Sequence, residues 1–292
     1  MSPSHPLLRT LEEIRKAGAR VREIVLAPLR LEDVGALVSE ALHCVWDQAR
    51  PLAQLVQEKT GGNPFFAIQF FTALAEEGLL IFDPVTRAWQ WDMNRIRASS
   101  YTDNVVDLMS GKLRRLSPPT QEALKHLACL GSVAEAATLA LVRGETEEAM
   151  HAALSEATRA GVVLRLENVY KFPHDRIQQA AYSLIPQGHR AEVHLTLGRV
   201  LLASMTGDQL TEHLFDVANQ LNRGAELLID PDEKAQVATI DLRAGRKAKA
   251  SAAYAAAGGY FSAGMALLDQ RAWDSHPDLA FSVWRERAIC PE

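Results

Sequence analysis

Lys59-Thr60-Gly61-Gly62-Asn63-Pro64-Phe65-Phe66 is the stretch on which the rest of the chain hangs. Two glycines end one helical segment, and an Asn-Pro pair starts another. Asn63 suits the N-cap position, because its side-chain oxygen can accept a bond from an orphan amide of the new helix. Pro64 suits the first helical position, where no N–H is needed and its fixed φ already fits. The glycines relieve steric limits and let the backbone approach something closely, either a neighbouring helix or a nucleotide ring. Taken alone, the stretch is helix–turn–helix punctuation.

Helices flank it on both sides. Pro64 to Glu77 carries Phe65, Phe66, Ile68, Phe70, Phe71 and Leu74 around a narrow polar stripe of Gln69, Thr72 and Glu76. That pattern predicts a mostly buried helix, ended by Gly78. Upstream, Pro51 to Lys59 reads as a short helix, and Leu31 to Leu42 as another with Glu32 and Asp33 in its first turn. Leu7 to Ala17 reads as a helix and Val21 to Leu26 as a short strand, which together look like the tail of an α/β domain. A lone βα fragment cannot satisfy a sheet. The missing strands are therefore expected upstream of Met1, in a larger protein that is truncated or split.

Downstream, Leu79-Leu80-Ile81-Phe82 and Ala88-Trp89-Gln90-Trp91 flank a turn-rich loop and predict a β-hairpin. Helices follow over Asn104 to Leu116 and from Ser117-Pro118 onward. Then come helices at Glu135 to Val142 and Glu145 to Ala160, and a hairpin that folds across Glu167-Asn168. Two helices and a hairpin wing are the pattern of a winged helix. Three acids, Glu145, Glu147 and Glu148, start its candidate recognition helix and argue against contact with nucleic-acid phosphates. From Arg190 the chain is all helical. Helices are expected at Arg190 to Ala203, Leu210 to Leu221, Asp232 to Lys249, Ser251 to Leu268 and Asp278 to Ile289. The Ala- and Gly-rich segment after Ser251 suits tight helix pairs of the solenoid kind.

Composition sets limits. The chain has 292 residues, 48% hydrophobic and 23% charged, which fits about two globular domains. The net charge of −5 gives no general polyanion-binding character. No signal-peptide pattern and no membrane-spanning apolar run occur, so a cytoplasmic location is expected. Cys44, Cys129 and Cys290 form no C-x-x-C pair. No H-E-x-x-H, G-x-S-x-G or phosphate-binding G-x-x-x-x-G-K-[ST] motif is present. The sharpest polar cluster is Pro173-His174-Asp175-Arg176, directly after a strand and at a helix start. Free amides and the dipole make such a place an anion site. The alternative is local: Asp175 caps the helix and His174 makes a nearby hydrogen bond. Arg243, Arg246, Lys247 and Lys249 gather on one helix and read as a solvated face.

Taken together, these motifs resemble one family. Gly-Gly-Asn-Pro-Phe-Phe followed by EEGLL is similar to the lid region of STAND-type signalling ATPases. FPHDRIQQAAYSLIP (172–186) resembles their winged-helix segment. LFDVANQLNRGAELL (214–228) and AGRKAKASAAYAAA (244–257) resemble their helical-repeat region. The similarity runs toward large bacterial sensor kinases that join serine/threonine-kinase-like, ATPase, repeat and histidine-kinase domains. The resemblance implies that Pro64, in Gly62-Asn63-Pro64, touches adenine. It implies that His174 contacts the β-phosphate of bound ADP, although proline replaces the family's usual methionine before it. The P-loop, magnesium-binding acids and sensor arginine would lie upstream.

The expected fold is mainly α. It comprises a remnant of the ATPase core (1–28), a helical lid with a β-hairpin (29–116), a winged-helix-like domain (117–186) and a TPR-like helical repeat region (187–292). The expected role is regulatory, relaying ATP/ADP state to the repeats and kinase without catalysis by this chain alone. ATP or ADP belongs to the full-length parent and is not expected to bind this chain tightly. Its partners are the parent's ATPase core and kinase domains, with a possible protein on the repeats and neither nucleic acid nor membrane. The other reading is a helical interaction scaffold without nucleotide.

Overall fold

Segments with apolar residues three and four apart form helices along most of the chain, and the short strands pair only with one another, so the fold is mainly α. The computed structural model describes residues 14–16, 18–22, 24–98 and 105–290. The chain divides into two units, 1–105 and 106–292.

In the first unit, α1 (Leu31–Leu42) starts where the Arg30 amide donates to the Asp33 carboxylate at 3.0 Å. It packs Val34, Val38 and Leu42 against α2 (Trp46–Thr60). Helix α2 begins five residues before the expected Pro51, which lies inside it. An interior proline costs about 3 kcal/mol. Burial of Ala49, Leu52, Ala53, Leu55 and Val56 outweighs that cost, at about 1.5–3 kcal/mol for each large apolar side chain. Helix α3 (Pro64–Glu76) follows the Gly-Gly turn, with Asn63 Oδ1 accepting from the Phe66 amide at 2.9 Å. It is less buried than expected: Phe66, Ala67, Phe70 and Leu74 turn inward, and Ile68 stays 50% exposed. A single inward stripe satisfies this small unit.

The predicted hairpin forms as β1 (Leu80–Asp83) and β2 (Ala88–Trp91), with Leu80 opposite Trp91. Asp83 holds its turn by accepting from the Thr86 hydroxyl and the Val85 amide, both at 2.8 Å. Helix α4 (Met93–Ala98) closes the described part and buries Ile96. The strand expected over Val21 to Leu26 does not form among the described residues. Ile24, Val25 and Leu26 are more than four-fifths exposed, because no strand is there to pair with them. The helix expected over Leu7 to Ala17 falls mostly outside the described residues.

In the second unit, α5 (Val105–Arg114) and α6 (Pro118–Leu130) precede β3 (Val133–Glu135), a strand that the periodicity did not announce. Then come α7 (Ala136–Arg143), α8 (Glu147–Arg159), β4 (Leu164–Leu166), β5 (Val169–Lys171) and α9 (Asp175–Ser183). The sheet order is β3-β5-β4, all antiparallel, with Glu167 in the left-handed region at the β4–β5 turn. The two helices and the hairpin read from the sequence are present, and β3 joins the hairpin as a third strand. Leu124, Leu127, Leu139, Met150, Tyr170 and Phe172 are among its fully buried side chains.

The remaining helices stack on one another. They are α10 (Arg190–Ser204), α11 (Gly207–Glu212), α12 (Leu214–Arg223), α13 (Pro231–Ala250), α14 (Tyr254–Leu267), α15 (Ala272–Ser275) and α16 (Pro277–Ala288). The single helix expected over Leu210 to Leu221 is broken at His213 into α11 and α12. The main packings are α10 on α12, α12 on α13, α13 on α14 and α14 on α16. The Phe261 ring of α14 lies where a side chain on Gly245 would be, so these two helices come close.

Candidate functional site

The Gly-Gly turn is built around close approach. Gly61 (φ 59°) and Gly62 (φ 73°) both occupy the left-handed region. A Cβ on Gly61 would meet nothing within 4 Å, so only its φ demands glycine. A Cβ on Gly62 would overlap the Leu29 carbonyl oxygen. The partner that Gly62 approaches is therefore the chain's own backbone. The Leu29 amide donates to Gly62 O at 2.8 Å, and Gln57 Nε2 donates to Leu29 O at 3.0 Å. The Asn63 side-chain oxygen is committed to its cap. Asn63 and Pro64 are exposed, with Pro64 at the first position of α3. One polar atom in the turn lacks a protein partner: Gln57 Oε1 is buried and accepts nothing.

His174 lies in the second unit and is itself the N-cap of α9. Its Nδ1 accepts from the Arg176 amide at 3.1 Å. The same nitrogen lies 2.5 Å from Asp175 Oδ1. A neutral ring can use Nδ1 as the cap acceptor; a proton there would turn it toward the carboxylate instead. Asp175 places a negative charge in the first turn, where the helix dipole favours one. The local alternative thus has its roles exchanged: His174 caps, and Asp175 provides the compensating charge. Gly62, Asn63 and Pro64 belong to one unit and His174 to the other.

The basic cluster is absorbed by internal contacts. Arg246 and Lys249 each reach the Glu286 carboxylate at 3.0 Å, and Lys247 bonds the Thr211 carbonyl and faces the Phe215 ring. Among the described residues no group of His, Cys, Asp and Glu could hold a metal ion, and no helix is long and apolar enough to cross a membrane.

No family model matches the chain. It is 26% identical, over 328 aligned positions, to "Hybrid signal transduction histidine kinase G" of Dictyostelium discoideum. That match covers 91% of this chain and 10% of the relative, so the chain spans about a tenth of the relative's length. A solved STAND (signal transduction ATPase with numerous domains) protein with a tetratricopeptide repeat sensor, from Pyrococcus horikoshii, superposes with a TM-score of 0.39 at 11% identity. The superposition covers 90% of this chain and 41% of that one, and is too loose to establish a shared fold.

Other polar groups in the second unit carry specific geometry that no motif flagged. Glu156 of α8 accepts from the Ser117 hydroxyl (2.6 Å), the Ser117 amide (2.9 Å) and the Thr120 hydroxyl (3.0 Å). Hydrogen bonding, led by the Ser117 hydroxyl, holds its carboxyl below the usual range. Ser117 thus stands at the start of α6 without capping it by its own side chain. Buried His194 bonds Gln220 Oε1 through Nδ1 at 2.6 Å and Tyr182 through Nε2 at 2.9 Å. Gln220 Nε2 donates onward to Cys129 O at 2.8 Å. Gln220 Oε1 can only accept, so His194 carries its proton on Nδ1 and accepts the tyrosine O–H on Nε2. Burial pushes the His194 pKa down, which keeps the ring neutral. His194 belongs to no histidine motif, and the apolar Val193, Leu195 and Leu197 around it are the signal that could have placed it in the core.

Proposed function

We propose that this chain is the regulatory part of a STAND-type signalling ATPase or sensor kinase, in which nucleotide state is coupled to the helical repeats. The observation that carries this reading is the match to a signal transduction histidine kinase through 91% of the chain. The lid turn fits one wall of an adenine pocket. Pro64 presents an exposed ring at a helix start. In the other unit, and independently of the lid turn, His174 would meet a phosphate oxygen through Nε2 while Nδ1 keeps the cap. When bound, the nucleotide supplies the presence or absence of a γ-phosphate as the signal. The chain's own residues bind and report it. They include no P-loop to cradle phosphates for hydrolysis.

Calorimetric titration of the chain with ADP tests the reading. Weak but saturable binding, weakened about tenfold further in Pro64→Ala or in His174→Ala, is expected; loss of one ligand contact costs about 1.4 kcal/mol at that ratio. ATP turnover by the chain, abolished in His174→Ala, would overturn it, because it would make the chain itself catalytic.

A second reading is favoured by the outer face of the repeats. Trp273, Phe281 and Trp284 are 43%, 57% and 45% exposed, and the two tryptophan rings lie 6.3 Å apart. Aromatic surface of this kind suits a protein partner. Absence of saturation up to millimolar ADP would favour this scaffold role.

A further inference from the structure

Asp241 sits in the middle of α13 with none of its surface exposed. Its neighbours offer almost no compensation. From α12, Asn222 Nδ2 donates to Asp241 Oδ1 at 2.6 Å. From α14, Gly264 packs its backbone against the Asp241 side chain, and Tyr260 commits its hydroxyl to Asn219 at 3.0 Å. From α16, the buried acid Glu286 is held by Arg246 and Lys249. No ion pair among the described residues involves Asp241. Two buried oxygens of the pair have no partner: Asp241 Oδ2 and Asn222 Oδ1.

An ionised Asp241 leaves both oxygens as acceptors with nothing to accept. Each such orphan is costly, and more so when charged. A single proton on Oδ2 removes both deficits at once. It discharges the carboxylate and gives Asn222 Oδ1 its donor. The acid and the amide then form a cyclic pair, with Nδ2–H to Oδ1 on one side and O–H to Oδ1 on the other. We infer that Asp241 is held as the neutral acid and that this acid–amide pair is a pH-sensitive latch between α12 and α13.

Burial independently pushes the Asp241 carboxyl up to about 7, against the smaller opposing effect of Asn222. The sign follows from linkage. A carboxyl raised in the folded state contributes stability that is full below its unfolded value and lost as pH rises toward neutrality. The latch is closed in mild acid and strained above neutral pH. The Tyr260 phenol on α14, raised by burial and further by Asp241 and Asp216, stays neutral through this range.

The test compares the whole chain with Asp241→Asn, whose amide keeps the shape and supplies a permanent donor to Asn222 Oδ1. The wild-type melting temperature is expected to fall by on the order of 5 °C between pH 5 and pH 8.5 relative to the variant, which melts higher at pH 8.5. An unchanged pH dependence in the variant, or a lower melting temperature at pH 8.5, would overturn the latch. A second measurement does not depend on the variant folding. Carbon-13 NMR of aspartate carboxyls in the wild-type chain is expected to show one resonance titrating near neutrality. If every aspartate titrates in the ordinary carboxylate range, Asp241 is ionised and the inference fails.

Discussion

Gly61 and Gly62 are adjacent, share a left-handed backbone and do different jobs. Gly61 answers only to its φ, and Gly62 answers to its φ and to the Leu29 carbonyl. Substitution separates the two. Gly61→Ala is expected to cost about 1 kcal/mol, the penalty of a left-handed residue with a Cβ. Gly62→Ala adds overlap with Leu29 and is expected to cost about 2–4 kcal/mol. Urea denaturation of both variants checks the difference, and equal costs would remove the Leu29 contact from the account. At this scale the sequence was informative wherever a side chain serves its own turn. Asn63 caps α3 and Pro64 begins it, as their chemistry requires. It was silent wherever a residue serves a distant partner. Nothing around Gly62 names Leu29, and nothing around Asp241 names Asn222.

At the scale of elements, the clearest case is the contact of α13 with α14. Gly245 faces the Phe261 ring, whereas Gly258 of α14 has open space where a Cβ would stand. Gly245→Ala must displace a fully buried ring and is expected to destabilise by about 1–3 kcal/mol. Gly258→Ala meets nothing and is expected to stabilise by about 0.5–1 kcal/mol through helix propensity. Thermal melts of the two variants should move in opposite directions; a shift of the same sign in both would refute this packing. Apolar periodicity made α1, α3, α8, α10 and α13 legible, and cross-strand turns revealed both hairpins. Strand β3 was hidden for a physical reason. It has three residues, exposes Val133, and owes its form to pairing with a strand nearly forty residues on. The strand expected over Val21 to Leu26 failed for the converse reason, since its composition was right and its partners are absent among the described residues.

For the molecule as a whole, pH acts through groups of opposite sign. Hydrogen bonds hold Glu156 and Glu233 below the ordinary carboxylate range, from Ser117 and from Arg199 respectively. Their contribution is full above the unfolded value, about 4.3, and is lost as pH falls through their lowered folded values. His194, kept neutral by burial, adds a penalty as pH falls below its ordinary value of about 6.5. Asp241 alone among these loses stability as pH rises. Single substitutions should therefore erase separate limbs of the stability profile. Glu156→Gln is expected to flatten the limb below about pH 4.3, leaving the neutral limb intact. Chemical denaturation across pH 3 to 8 would show this; a uniform loss at all pH values would mean that Glu156 contributes no pH-linked bond. Around Gly62, Asn63, Pro64 and His174, the residue chemistry was legible in the sequence and the local settings were not. The cap made by His174 and the clamp on Leu29 depend on backbone placement that single-residue preferences do not encode.

That clamp has a mechanical consequence. The Leu29 amide bonded to Gly62 O, with Gln57 closing over the Leu29 carbonyl, clips together the two ends of the segment that holds α1 and α2. Tension applied through the chain before Leu29 passes across this clip directly into the first turn of α3. Helix α1 and all of α2 but the last turn, which carries Gln57, lie outside the load path until the clip breaks. A pull from upstream would thus reach Pro64 before it stretched the helices that precede it in sequence.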